Sequence, residues 1–249
     1  MIITAAYYTR AMQIRNKHGE KIDHAMHDVA GVNDKLIILA HGVTGDMDRE
    51  FMVKLAQMLA KMGWPTMRIS FSGNGSSEGH FTDSTISKEC DDLVAVLDQA
   101  KGVKKVAYIG YSMGGAVGAL TAAKDDRISV LVSLAGMVRT KLFAETEYGD
   151  VIPDKGFMWD DETTPLSQKF MDDLRQIDTV IPAVKDLRLP WLLLHGSEDD
   201  VVLPDDSAYL FNHLKGKKKH VVINGTDHSF AGHWEDLAGE IDDWLKTYL

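Results

Sequence analysis

The sequence predicts an α/β protein with a mostly parallel central sheet and helices on both faces. Short apolar runs recur along the chain, closed by glycine, proline or polar residues, as strands buried on both faces require. Segments with apolar residues at helical spacing alternate with these runs, and parallel neighbours need such crossovers. The chain has 249 residues, 45% of them apolar, enough for one large core in a single domain over 1–249.

The first segment departs from that rhythm. Arg10-Ala11-Met12-Gln13-Ile14-Arg15, the Lys17-His18-Gly19-Glu20 turn and residues 21–29 read as an antiparallel hairpin at the sheet edge. Leu36-Ile37-Ile38-Leu39-Ala40 is the first buried strand, closed by His41-Gly42. A helix follows over 51–62, stopped by Gly63 and Pro65. Thr66-Met67-Arg68-Ile69-Ser70-Phe71 is the next strand. A helix over 84–100 places Ile86, Cys90, Leu93, Val94 and Leu97 on one buried face. A strand over 103–109 leads to a helix over 116–124, and 128–135 and 190–195 are further buried strands. A short strand over 220–223 precedes a closing helix with Trp234, Leu237, Ala238, Ile241, Trp244, Leu245 and Tyr248 on one stripe.

Residues 136–186 show no clear strand. Phe143, Tyr148, Phe157, Trp159 and Phe170 lie there among charged residues, with Pro153, Pro165 and Pro182 as breakers. Insertions of this length in compact domains are commonly lids, and these aromatics could line a pocket. A small lid or cap is therefore expected at about 136–186.

Net charge is -10, spread along the chain. Such a surface repels nucleic acid and anionic membranes, so neither is expected as a partner. The single cysteine, Cys90, cannot form an internal disulfide, and Met1 to Tyr7 lack the basic start and apolar core of a signal peptide. No apolar run approaches transmembrane length. The expected location is the cytoplasm; a homodimer is left open.

The chemistry concentrates in three loops. Gly110-Tyr111-Ser112-Met113-Gly114-Gly115 has the form G-x-S-x-G between an expected strand and an expected helix. So tight a turn strains the serine backbone, and side chains at 110 and 114 would collide where strand and helix meet. It lifts the Ser112 hydroxyl above the strand ends, at a helix N-terminus that favours negative charge. A serine hydroxyl needs a base, and in this topology the partners follow in the order serine, acid, histidine. Glu198, Asp199 and Asp200 all leave the 190–195 strand and are candidate acids. His228, in the loop after the last strand, is the expected base. Asp227 is its neighbour, but adjacent loop side chains diverge. Backbone N–H groups of Val43 and Met113 are the expected oxyanion donors. His41 is expected to hold that loop by hydrogen bonds or to touch substrate.

Together, His41-Gly42-x-x-Gly45, Ser70-Phe71-Ser72-Gly73-Asn74-Gly75-Ser76-Ser77-Glu78-Gly79, Gly110-x-Ser112-x-Gly114-Gly115, His195-Gly196-x-x-Asp199 and Gly225-x-x-His228 resemble the α/β-hydrolase superfamily. Within it the chain is most similar to small bacterial carboxylesterases, including the feruloyl/cinnamoyl esterase type. The resemblance covers nearly everything outside the 136–186 segment. It implies Asp199 as the acid and a serine carboxylesterase acting on short-to-medium esters through an acyl-enzyme. It also implies a small-molecule ester substrate, with neither metal nor organic cofactor. Phe157, Trp159 and Val201 are the expected substrate contacts, with His41.

The same machinery serves thioesterases, peptidases and acyltransferases, and the fold also serves as a ligand-binding scaffold. Cys90 reads as a core residue. His24 and His27 lie three apart in a strand and face opposite sides, which excludes a metal pair. His80, His213, His220 and His233 read as surface or supporting groups. Gly73-Asn74-Gly75 lacks a phosphate-loop lysine and reads as a turn at the site rim.

Overall fold

The computed structural model describes residues 13–32 and 34–249. Eight strands form one sheet: β1 (Ile14–Arg15), β2 (Lys21–His27), β3 (Lys35–Ala40), β4 (Thr66–Ser70), β5 (Lys105–Tyr111), β6 (Ile128–Leu134), β7 (Trp191–Gly196) and β8 (Lys218–Ile223). Their spatial order is β1-β2-β4-β3-β5-β6-β7-β8. β3 to β8 run parallel, while β1 and β2 form the expected antiparallel edge. Residues 10–12 of the expected hairpin lie outside the described residues.

The apolar runs are continuous because both faces are covered. In β3, Leu36, Ile38 and Ala40 join one core and Ile37 and Leu39 the other. Each fully buried Leu or Ile contributes about 1.5–3 kcal/mol. Helices α1 (Glu50–Lys61) and α8 (Trp234–Tyr248) close the second core with Phe51, Leu55, Leu59, Leu237, Ile241 and Leu245. Helices α2 (Ile86–Gln99) and α3 (Met113–Ala122) cover the opposite face.

The structure differs from the expectation at four points. Val94 is 36% exposed, because the buried side of α2 turns toward Glu89, Leu93 and Val96. Residues 136–186 hold no named strand and carry α4 (Thr140–Tyr148), α5 (Gln168–Ile177) and the short α6 (Ile181–Val184), none of them expected from the sequence. Their aromatics pack on one another, with Tyr148 5.8 Å from Phe143 and 6.2 Å from Phe170 between ring centroids. Between β7 and β8 lies a helix, α7 (Asp205–His213), that the sequence reading omits; Leu210 is its one buried apolar residue, too weak a stripe to read. Helix α3 also starts at Met113 rather than 116, directly after the serine. Among the described residues no helix is long and apolar enough to cross a membrane.

The topology locates the site. From β3 the chain goes to β4 on one side, then crosses to β5 on the other. Loops leaving β3 and β5 therefore diverge and open a crevice at the carboxyl ends of the strands, where α/β sheets bind ligands.

Helix α3 approaches the sheet closely. A Cβ at Gly118 would sit 2.3 Å from the Tyr108 ring. Tyr108 cannot yield, since it is fully buried and its hydroxyl donates to the Gly114 carbonyl at 2.8 Å. Gly118→Ala should destabilise the protein by about 1–3 kcal/mol, read as a lower Tm in thermal unfolding.

Candidate active site

Ser112 joins β5 to α3 with φ 55° and ψ -123°, a conformation an L-residue holds only when its surroundings enforce it. The enforcement is steric. A Cβ at Gly110 would lie 2.2 Å from the Gly114 carbonyl oxygen, and one at Gly114 2.5 Å from the His41 carbonyl oxygen. The Ser112 N–H is tied to the Leu134 carbonyl at 2.9 Å, and its carbonyl accepts from Gly115 and Met137. Thr44, Ala135 and Phe230 also have positive φ. They follow β3, β6 and β8, so strain gathers at the carboxyl rim around Ser112.

The loops after β7 and β8 are laced together. Ser197 N–H donates to the Ile223 carbonyl at 3.0 Å and Glu198 N–H to the Thr226 carbonyl at 3.0 Å. Of the three candidate acids, Asp199 turns inward: its Oδ2 meets His228 Nδ1 at 2.8 Å. Its Oδ1 accepts the N–H groups of Val201 and Val202, both at 3.0 Å. Glu198 and Asp200 are exposed, and Asp227 Oδ1 binds Ser229 instead of the imidazole. Val201 thus supports the carboxylate and does not line the cleft described below.

A second imidazole was not foreseen. Buried His195 places Nε2 3.0 Å from Asp199 Oδ2 and 2.7 Å from the Val202 carbonyl. Burial by itself would raise the Asp199 pKa, but the bonds from His195 and His228 outweigh it and hold the carboxyl below its ordinary range.

The imidazole of His228 lies over Tyr111, the neighbour of Ser112, with ring centroids 5.0 Å apart. Tyr111 Oη also donates to the His228 carbonyl at 3.2 Å. Among the described residues no hydrogen bond joins Ser112 Oγ to His228, a looseness common in ligand-free sites.

The loop after β3 lies against the serine: a Cβ at Gly42 would be 2.6 Å from Ser112 Cβ. His41 fixes this loop. Its Nε2 accepts the Phe71 N–H at 2.9 Å and its Nδ1–H donates to the Gly42 carbonyl at 2.8 Å. It is buried and takes no place in the cleft, so of the two expected roles the structure gives it the loop-holding one.

A small cleft reaches Met113, the residue after Ser112. Val43, Thr44, Met113, Phe81, Met158 and Phe170 are among the residues that line it, and Asn74, Ser84 and Glu89 stand at a polar end. Phe157 and Trp159 do not line it. Trp159 is 46% exposed and donates through Nε1 to Glu147 at 2.9 Å; Phe157 is 36% exposed. Met158 between them faces inward, 2% exposed. Cys90 rests its Sγ 3.6 Å from the Val117 carbonyl, and burial pushes its thiol up to about 12. Neighbouring β2 residues His24 and His27 bind separate partners, the Ile22 carbonyl and Arg68 Nε. Among the described residues no group of three or more His, Cys, Asp or Glu is placed to hold a metal ion.

Residues 35–179 match the family described as the alpha/beta hydrolase fold, and the chain belongs to that family. It is similar to Est1E from Butyrivibrio proteoclasticus, solved with ferulic acid bound. The two share 27% identity at TM-score 0.85, covering 96% of this chain and 99% of that one. The Pyrococcus furiosus esterase PF2001 shares the fold, at 20% identity, TM-score 0.74, and coverage of 95% and 90%. The Rickettsia prowazekii protein RP471, itself uncharacterized, is 22% identical over 212 residues, spanning 82% of this chain and 74% of that one. A hydrolase fold with esterases among its structural neighbours is thus the class of this protein.

The two buried acid–base groups at the rim give separate pH windows. Burial lowers the His41 pKa from 6.5 to about 4, since protonation of Nε2 would also break its bond from Phe71. The unfolded chain takes up this proton first, so stability falls as pH drops from 6.5 toward 4. The full shift corresponds to about 3 kcal/mol. Asp199 acts lower: its folded pKa lies beneath the unfolded 3.8, so its stabilisation holds above that pH and is lost below it. His41→Asn should flatten the stability profile between about pH 6.5 and 4 in urea unfolding, leaving the acid limb below about pH 4 in place.

Proposed function

We propose that the protein is a serine carboxylesterase, with Ser112 as nucleophile, His228 as general base and Asp199 as the group orienting it. The observation that carries this reading is the conjunction of the strained Ser112 turn with the His228–Asp199 pair at 2.8 Å. The strained turn projects a hydroxyl at a helix N-terminus, where developing negative charge is favoured.

In this reading the reaction is acyl transfer in two steps. His228 Nε2 takes the Ser112 proton as Oγ attacks the ester carbonyl carbon. Asp199 accepts from Nδ1–H, fixing the tautomer and stabilising the imidazolium. Val43 and Met113 N–H groups, with no protein acceptor among the described residues, receive the oxyanion. The imidazolium protonates the leaving alkoxide. Water, deprotonated by the same base, then cleaves the acyl-enzyme and restores Ser112. Entry of substrate closes the gap between Oγ and Nε2.

The 136–186 segment acts as a cap on the single domain. Met158, Pro165, Ser167 and Phe170 from it line the narrow cleft, and a short-to-medium acyl group of a small-molecule ester enters as the two methionines, Met113 and Met158, re-pack. The likeness to Est1E, which holds ferulic acid, adds hydroxycinnamate esters to the substrates to try.

The purified protein should hydrolyse short-chain p-nitrophenyl esters, and folded Ser112→Ala should lose at least about a thousandfold of kcat/KM. Equal rates in both, or no turnover by either, would remove the serine esterase reading.

A further inference from the structure

Glu89 is a carboxylic acid on the buried face of α2, 1% exposed, and it lines the cleft that starts at Val43 and Met113. One oxygen is accounted for. Asn74 Nδ2 donates to Ser84 Oγ at 3.1 Å, and Ser84 Oγ donates to Glu89 Oε1 at 2.9 Å. Oε2 is buried and has no partner. Nearby Lys88 does not neutralise it, because its ammonium pairs with Glu20 at 2.8 Å. A buried polar atom without a partner costs about 1–3 kcal/mol, and a fold retains one where something else satisfies it.

Which hydrogen-bonding sense Oε2 offers follows from its surroundings. Burial raises the Glu89 pKa well above the carboxylate range against the Ser84 bond, and Asp92 and Asp173 push the same way. The neutral acid then carries one proton. Oε1 already accepts from Ser84, so the proton sits on Oε2 and points at no protein acceptor. Phe81, Met113, Met158, Pro165 and Phe170 make most of the remaining wall apolar, and the hydroxyls of Thr44 and Ser167 are its other polar groups. Met113 and Met158 are unbranched and re-pack readily around an entering group.

We propose that Glu89, backed by Ser84 and Asn74, forms the polar terminus of the acyl cleft and donates a hydrogen bond from Oε2 to an acceptor oxygen carried on the substrate's acyl chain. The natural ester is then an oxygenated acyl ester, bearing an ether, hydroxyl or carbonyl oxygen beyond the scissile group. A purely aliphatic acyl chain leaves the donor unpaired, and sites built to hydrogen-bond reject analogues lacking the partner strongly. This specificity assignment rests on the serine esterase reading above.

Matched esters that differ by one oxygen test it. p-Nitrophenyl 3-methoxypropanoate and pentanoate have equal chain length, as do 4-methoxybutanoate and hexanoate. Wild type should favour the oxygen-bearing ester of one pair by about tenfold in kcat/KM, the worth of one hydrogen bond. Glu89→Met should abolish or invert that preference while still hydrolysing the aliphatic ester, and should melt no lower than wild type. Glu89→Gln, whose amide still donates, should keep part of the preference.

Binding separates this assignment from the esterase reading. The corresponding methyl esters are titrated calorimetrically onto Ser112→Ala and onto Ser112→Ala with Glu89→Met. An oxygen-dependent affinity present in the first and lost in the second supports the Glu89 site even where no ester is turned over. A preference for the aliphatic ester in both pairs, or an oxygen preference unchanged by Glu89→Met, would overturn it.

Discussion

Helix α3 leaves β5 so sharply that the chain at Gly110 and Gly114 is almost in contact with itself, and a Cβ at Gly110 would meet the Gly114 carbonyl oxygen at 2.2 Å. The geometry at Ser112 depends on that approach. It forces Ser112 to positive φ and points the helix N-terminus over the strand ends. It also lets the loop after β3 close against the serine, with Gly42 alongside it. The sheet order contributes the rest, because the reversal at β3 opens the crevice into which this turn projects. A wider turn would give a relaxed serine facing bulk solvent, without the backbone donors beside it.

Around the turn, buried polar groups are held in opposite protonation states by what they touch. Asp199 stays ionised because two imidazoles and two backbone N–H groups surround it. His41 is held toward its neutral form by burial, which leaves Nε2 free to accept from Phe71. Glu89 is driven toward the neutral acid because burial finds no cation to balance it. The same low dielectric thus holds an anion, an imidazole pushed toward its neutral form and a carboxyl pushed toward its neutral form within one rim.

The legible parts were those fixed by local spacing. Glycines at 110 and 114 around Ser112, between an apolar run and a helical one, identify the turn without any tertiary information. His228 could be named from the serine, acid, histidine order and Asp199 from the family resemblance; the structure adds that β7 and β8 are adjacent and parallel, so their exit loops meet. The cap was less legible. Phe170, Met171, Leu174 and Ile177 do recur at helical spacing and mark α5, but the prolines at 153, 165 and 182 and the charged residues between them obscure the helix limits. Aromatic composition also said nothing about direction, so Met158 takes the inward place expected of Phe157 and Trp159. For Glu89 a signal did exist: a carboxylate three residues after Ile86 and four before Leu93, on an apolar face, is an anomaly that asks for a partner. His195 left no such mark, since a histidine ending a strand carries no sign of what it touches.

Covalent labelling reads the activation of Ser112 itself. A fluorophosphonate reacts with a serine only when a base and oxyanion donors activate it, whatever the natural ester. The purified protein, labelled and mapped by peptide mass spectrometry, should carry a single adduct on Ser112, and Asp199→Asn should slow its formation severely. An intact, folded protein that remains unlabelled, or one labelled at another serine, would contradict the account.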